Sequence, residues 1–388
     1  MYLKSLELHH FRNFRAKTCA FSPGITLFTG PNAAGKTNLL EAIHLLSNLR
    51  SFRTHTLREL IQWDEADGYV RGIAHPGNGD AALTEHPKTL AVAVKANARV
   101  PVINSKPCRT SKDYLRLLPS ATFAPDDLSL VKGAPALRRY FLDHGTFLFS
   151  AAYWMLLTDY NRVLLQKNTL LKEFQRKGAR DGERVKSLEA ACEVWDAQLQ
   201  AFGSKILAQR LIFVSRLQRL IAEVYARWLG TDETIALRYK FSIAGANEEA
   251  RLPEDGAKTP EFEQIAAAYA QAIRQNRERE RRLGTTVIGP HRDDLEIFLA
   301  GRPLRAYGSQ GQQRTAVLAL KLAEIHLYFE QYGEYPLLLL DDVTSELDLS
   351  RNAKLLEYLQ SGMQVFLTAT ETRALAPLRG LSCEYIAL

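Results

Sequence analysis

Eight consecutive residues, Gly30-Pro31-Asn32-Ala33-Ala34-Gly35-Lys36-Thr37, have the types and spacing needed to cradle a phosphate chain. Small residues let successive backbone N–H groups turn toward an anion without side-chain obstruction. Lys36 then supplies a point charge for the β- and γ-phosphates, and the Thr37 hydroxyl is placed to ligate magnesium; Asn38 completes the ATP-contacting set. A second pair, Asp341 and Asp342, ends the apolar run 336–340. Carboxylates at the C-terminal edge of a buried parallel strand stand where open α/β sheets bind ligands. Asp341 would hold Mg2+, directly or through water, and Asp342 would orient or deprotonate an attacking water, so Lys36 and Asp342 are the catalytic candidates. Taken alone, the pair also reads as an N-cap, a reading that weakens beside the phosphate loop.

A third segment, Ser309-Gln310-Gly311-Gln312 followed by Gln313, directly precedes an apolar-faced helix. By itself it is a polar helix start with a flexible glycine. A helix N-terminus carrying a hydroxyl is also a suitable cap for a terminal phosphate.

These groups need a scaffold. The run 25–29 reads as a strand, and Leu39, Leu40, Ile43 and Leu46 then fall on one face of a helix, so the period switches from two to 3.6 across the glycine-rich loop. Further strands are expected at 286–288, 295–299, 336–340 and 365–368, with a helix near 353–359 between the last two, which implies parallel pairing. Apolar residues recur at helical spacing in 153–171 and 195–228, interrupted near 177–182, over too few heptads for a long coiled coil. The expected fold is α/β: residues 1–150 form the first part of an ATPase lobe, 151–283 a helical lobe, and 284–388 the remainder of the ATPase lobe.

Hydrophobic residues are 46% and charged residues 24% of the 388, values that exclude disordered and collagen-like classes. The net charge of +7 is compatible with a polyanionic partner. The cysteines, Cys19, Cys108, Cys192 and Cys383, have no paired spacing, so neither a zinc site nor a disulfide framework is expected. A charged N-terminus without an apolar signal core, and no apolar run near the roughly 20 residues needed to span a bilayer, lead us to expect a cytoplasmic protein.

Taken together, residues 4–14 (KSLELHHFRNF), 35–43 (GKTNLLEAI), 125–139 (PDDLSLVKGAPALRR), 289–295 (GPHRDDL), 309–315 (SQGQQRT) and 338–348 (LLLDDVTSELD) carry a resemblance that spans nearly the whole chain. The pattern resembles the RecF family of bacterial recombination mediators, ABC-type ATPases related to the heads of SMC proteins but without their long arms. The resemblance implies that Ser309, Gln310, Gly311 and Gln312 form a signature loop, reaching ATP bound to a second copy of the chain. Gly308 and Gln310 depart from the usual LSGGQ pattern. It further implies that Ser345, Glu346 and Asp348 form a D-loop. Thr368-Ala369-Thr370 occupies the place of the usual switch histidine, so a Thr368 or Thr370 hydroxyl is the remaining γ-phosphate contact. As activity it implies ATP-dependent homodimerisation on gapped or double-stranded DNA, slow hydrolysis that releases the dimer, and loading of RecA together with RecR and RecO. Basic residues available for DNA phosphates are Arg50, Arg53, Arg138, Arg139, Lys172, Arg176 and Lys177, with Lys167 in the same helical stretch; each cluster reads equally well as a solvated helix face. Two other readings share the nucleotide motifs: the ATPase subunit of a membrane transporter, and a structural chromosome-organising head.

Overall fold

A computed structural model of the chain describes residues 1–75, 86–108, 110–177, 182–229, 233–243, 262–343, 355, 359, 362–369 and 383–388. They divide into two compact units, the first comprising Met1–Leu128, Val224–Asp232 and Gln310–Leu388, the second Ser129–Glu223 and Glu233–Ser309.

The first unit contains two sheets. Strands β1 (Tyr2–Phe11), β2 (Phe14–Ala20), β4 (Asp67–His75), β5 (Lys88–Lys95), β6 (Ala98–Ile103) and β7 (Lys106–Pro107) form an antiparallel sheet ordered β2-β1-β4-β5-β6-β7. Leu6 and Leu8 of β1, and Gly68, Val70, Gly72 and Ala74 of β4, alternate inward, the pattern of a half-buried strand. The second sheet, ordered β14-β3-β13-β12-β8, is parallel throughout and joins β3 (Ile25–Thr29), β8 (Ser120–Phe123), β12 (Leu337–Leu340), β13 (Val365–Ala369) and β14 (Cys383–Ala387). β12 and β13 are buried at every position, as strands covered on both faces must be.

Helix α1 (Lys36–Asn48) packs against β1, β4 and β5 on one side and β8, β12 and β13 on the other. Eleven of its residues are therefore buried, including His44, Ser47 and Asn48, which satisfy their polar atoms on Thr122 and Ser120 of β8 at 2.6–2.7 Å. The approach is close: a Cβ on Gly72 would sit 2.6 Å from Leu46 and 2.8 Å from Leu3. Gln364 ties the sheets directly, accepting from the Leu3 N–H (2.7 Å) and donating to the Leu3 carbonyl (2.9 Å). The short α2 (Ser111–Leu115) packs on β6, and α9 (Gln310–Tyr332) packs on β8.

The second unit is helical around a small sheet. It contains α3 (Ser129–Lys132), α4 (Pro135–Phe149), α5 (Ala151–Lys177), α6 (Gly182–Leu229) up to Glu223, α7 (Phe262–Leu283) and α8 (Leu304–Tyr307), with β9 (Ile235–Lys240), β10 (Asp294–Leu299) and β11 (Arg302–Pro303) paired antiparallel. The interruption expected near 177–182 separates α5 from α6. Two groups of residues expected in the ATPase lobe, 129–149 and 284–309, instead fall in this unit. Within this unit Arg138 of α4 holds Asp294 of β10, and Asp143 of α4 is held by Arg210 of α6. Residues 286–288, expected as a strand, are irregular. The backbone N–H groups of Thr286 and Val287 donate to Asn168 (2.7 Å) and Glu280 (2.8 Å), so helix side chains take the place of a neighbouring strand. The helix expected near 353–359 falls almost wholly outside the described residues.

Lys167 of α5 is buried and bonds Asp196 of α6 and Glu280 of α7, each at 2.6 Å. Burial alone would lower its pKa, but the two carboxylates more than offset that and hold it above the usual value. Lys167 is therefore a structural cation, a correction to its expected place among the phosphate-binding residues. Among the described residues, removing it leaves buried Glu280 with only the Val287 N–H and Asp196 with only Arg277. Lys167→Met should cost about 3–5 kcal/mol in urea unfolding, and a loss under about 1 kcal/mol, the range of exposed pairs, would contradict this role.

Candidate nucleotide site

β3 ends at Thr29 and the chain turns through a loop that only its own sequence permits. Gly30 (φ 151°) and Gly35 (φ 106°) lie in the left-handed half of backbone space, as does Ala33 (φ 67°). A Cβ on Gly30 would meet the Leu388 carbonyl oxygen at 2.7 Å, and one on Gly35 would meet Phe14 at 2.6 Å and the Asn13 amide at 2.8 Å. Gly35 then caps α1, aiming the free N–H groups of the first helical turn into the loop. Lys36 spans it, its ammonium donating to the carbonyls of Gly30 (2.6 Å) and Pro31 (2.9 Å).

Because β3, β13 and β12 are parallel neighbours, their C-terminal ends present Thr29, Thr368 and Leu340 on one edge of the sheet. Asp341 and Asp342 follow Leu340 there. The Thr37 hydroxyl donates to Asp341 Oδ1 at 2.9 Å, joining the first turn of α1 to β12. The Thr368 hydroxyl also donates to Asp341 Oδ1 (2.9 Å) and accepts the Asp342 N–H (2.8 Å). Asp342 takes a left-handed backbone conformation (φ 51°), uncommon for a residue with a side chain and a sign that the position is imposed by its surroundings. Burial pushes the Asp341 carboxyl above the usual carboxylate range; the Asp342 charge adds to this, while the Thr368 and Thr37 hydroxyls and Arg53 oppose it.

Together these groups line a cavity of about 400 Å³, within the range of small-molecule sites. Asn32, Ala33, Gly35, Lys36, Thr37 and Asn38 form one wall, and Asp341, Asp342 and Thr368 another. Among the described residues no group of three or more His, Cys, Asp or Glu converges on a metal position. One hydroxyl and one buried carboxylate nonetheless fit magnesium, which keeps most of its positions for water and phosphate oxygens.

Asn13, which sequence reasoning did not single out, completes the rim. It sits between β1 and β2, accepts from Asn38 Nδ2 (2.8 Å) and donates to the Ala34 carbonyl (3.4 Å). Arg53, expected among DNA-facing residues, lines this cavity instead and donates to Asn38 Oδ1 (2.8 Å). Behind them Glu41, fully buried, receives both arms of Arg12 at 2.6 and 2.8 Å and the Ser51 hydroxyl. The FRN triplet at the β1 turn was the available signal.

The remaining site residues scatter. Ser309, Gln310 and Gly311 are exposed at the start of α9, Gln312 is half-buried behind them, and Gln310 and Gly311 do not line the cavity. Ser345, Glu346, Asp348 and Thr370 lie outside the described residues. Arg50 and Lys172 are exposed, and Arg176 and Lys177 close α5. Arg138 is a correction: it is buried and committed to Asp294 through two parallel bonds of 2.7 and 2.8 Å. Thr368 lines the cavity, with its hydroxyl donating to Asp341.

Residues 2–381 match the family model described as the RecF/RecN/SMC N terminal domain. A protein of Cyanothece sp. named DNA replication and repair protein RecF is 39% identical over 378 residues, covering 96% of this chain and 93% of that one. A solved structure of the recombination mediator protein RecF with ATPrS in the RecFOR pathway superposes with a TM-score of 0.82 at 32% identity, covering 99% and 96% of the two chains. An Smc head domain with an extended coiled coil, derived from Pyrococcus furiosus, shares the fold with a TM-score of 0.52 at 16% identity over 97% of this chain and 91% of that one.

Asp341 joins the cavity chemistry to stability. With its pKa raised by folding, the carboxyl costs nothing while protonated in acid, and its ionisation penalty enters as pH rises through that pKa. Without nucleotide or magnesium, Asp341→Asn should therefore melt about 2–4 °C higher at neutral pH. The gain should vanish in acid, below the ordinary carboxylate pKa of about 3.9. Calorimetry at the two pH values checks this; no gain, or an equal gain at both, would contradict a charged and strained Asp341.

Proposed function

The chain belongs to the RecF family of DNA replication and repair proteins, and on that premise we propose that ATP bound at the Gly30–Thr37 loop locks two copies of it together on DNA. The observation that carries this reading is the array Thr37, Asp341, Thr368 and Asp342 at one sheet edge beside the phosphate loop.

The loop N–H groups and Lys36 bind the phosphates, with Lys36 exchanging the Gly30 and Pro31 carbonyls for β- and γ-oxygens. Thr37 and Asp341 hold magnesium, which supplies positive charge against the charge developing on the transferred phosphoryl group. Asp342, placed by Thr368, orients the attacking water and takes its proton. Asn13, Asn38 and Arg53 close the rim. No group from α9 lies in this cavity, while Ser309 and the exposed start of α9 offer a helix N-terminus to the γ-phosphate held by a second copy. The D-loop residues Ser345, Glu346 and Asp348 then link the two sites.

Hydrolysis is slow and DNA-dependent in this scheme and dissolves the dimer. The dimer marks gapped or double-stranded DNA and acts with RecR, and through RecO and RecR in the loading of RecA. Arg50 and Lys172, both exposed and basic, contribute phosphate contacts. No described helix is long and apolar enough to cross a membrane.

The test is a gel shift on gapped and fully paired DNA with and without ATP, at two salt concentrations. ATP should strengthen binding at least about tenfold, with affinity falling steeply as salt rises; binding indifferent to ATP would remove the reading. Two substitutions separate assembly from turnover. Asp342→Asn should retain the ATP dimer in sedimentation while hydrolysis falls by about 100-fold or more. Ser309→Arg should abolish the dimer yet leave ATP binding to the single chain, and an unaltered dimer would remove the role of α9.

A further inference from the structure

The second unit holds a separate cavity of about 220 Å³ between α4, α5, α6 and the 289–295 segment. Arg139, Asp143, Tyr160, Asn161, Arg210 and His291 line it. Its volume is below the roughly 300 Å³ of ordinary small-molecule pockets, so it suits one compact group and not a whole nucleotide.

Arg138, Arg139 and Arg210 stand here against Asp143, Asp293 and Asp294, but only two of the three arginines are in direct ion pairs among the described residues. Arg210 is buried and spent: it pairs with Asp143 at 2.6 Å and donates to Tyr153, Tyr239 and the Pro290 carbonyl. That pairing neutralises Asp143. Arg138, one residue before Arg139, is spent on Asp294. Arg139 makes a single hydrogen bond, from Nη1 to the Asp293 carbonyl at 3.0 Å, and has no carboxylate partner among the described residues. Asp294, Asp293 and Asp143 act on its charge from a distance, and the rest of its planar donor fork is left to the cavity wall. Asn161 is exposed at the rim with an amide to offer. The His291 ring is fixed by Tyr160 (2.7 Å) and the Thr286 carbonyl (3.4 Å). Burial first, opposed by the Thr286 carbonyl and aided by Arg292, Arg139 and Arg210, pushes its pKa down to about 4, so a neutral imidazole faces the cavity at neutral pH.

We infer that this cavity binds a phosphate group, with Arg139 as its principal ligand and Asn161 as a second donor. A guanidinium fork with unused N–H groups matches a tetrahedral oxyanion, and the volume admits one. The phosphate comes from a nucleic-acid strand or as the free inorganic ion; only the first source rests on the DNA-binding reading above.

The His291 ring reports the cavity. Its NMR resonances, identified by their loss in His291→Gln, can be followed in the full chain carrying Lys36→Ala, so that the other phosphate loop does not compete. The probes are inorganic phosphate at constant ionic strength and a short duplex with and without a 5′-phosphate. At least one probe should shift the ring saturably. Arg139→Ala should weaken that response by about ten- to a hundredfold, and Arg139→Lys should weaken it less, keeping the charge but losing the fork. Should Arg139→Ala fail to fold, Asn161→Asp sets a negative charge at the exposed rim and should weaken the response too. A ring unmoved by every probe, or moved equally in Arg139→Ala, overturns the proposal. DNA that binds in the gel shift without moving His291, with phosphate also silent, sinks the cavity and leaves the DNA reading standing. Inorganic phosphate that moves His291 in a chain unable to bind DNA keeps the cavity and removes the strand as its source.

Discussion

A helix buried on every side has to keep one end open. α1 lies between an antiparallel and a parallel sheet, so its flanks are apolar or hydrogen-bonded and its side chains are fixed. That confinement orients the N-terminal turn, and with it the loop N–H groups and Thr37, toward the C-terminal edge of the parallel sheet. The glycines follow from the same constraint: Gly72 lets β4 approach Leu46, and Gly35 lets the loop pass under Phe14 and Asn13. Much of the site lies on loops, but those loops leave directly from the ends of α1, β3 and β12, which hold them in place.

The strands carry equal weight. Parallel pairing of β3, β13 and β12 places the phosphate loop, Thr368 and the two aspartates side by side although they are far apart in the chain. A one-residue slip would turn Thr368 or Asp341 to the other face, and complete burial of β12 and β13 makes such a slip costly.

Local sequence revealed those parts of the site whose chemistry is local. The phosphate loop is a run of small residues and one lysine, and the aspartate pair follows an unbroken apolar strand, so residue type and neighbours suffice. Arg138, Arg53 and Lys167 were not legible because exposure is a tertiary property. A basic residue in a charged stretch looks solvated until its partners arrive from distant elements: Asp294 for Arg138, Asn38 and the cavity for Arg53, Asp196 and Glu280 for Lys167. The compact units are cut differently from the expected lobes, and the ion pairs from α4 to α6 and β10 are equally invisible in local sequence. Residues 286–288 have strand composition, but their N–H groups are claimed by Asn168 and Glu280 first.

The Thr368 hydroxyl has one proton and gives it to Asp341, while a lone pair takes the Asp342 N–H. Its rotor is therefore locked, and the two aspartates are registered against each other by a single oxygen atom. In the currency of protons, the sheet edge has none in hand: every hydroxyl hydrogen on Thr37 and Thr368 points at the same carboxylate oxygen. Thr37 and Asp341, the residues that would hold a divalent ion, are thus tied through the Thr368 oxygen to the backbone of Asp342, and the ion would enter a site whose parts already share one anchor.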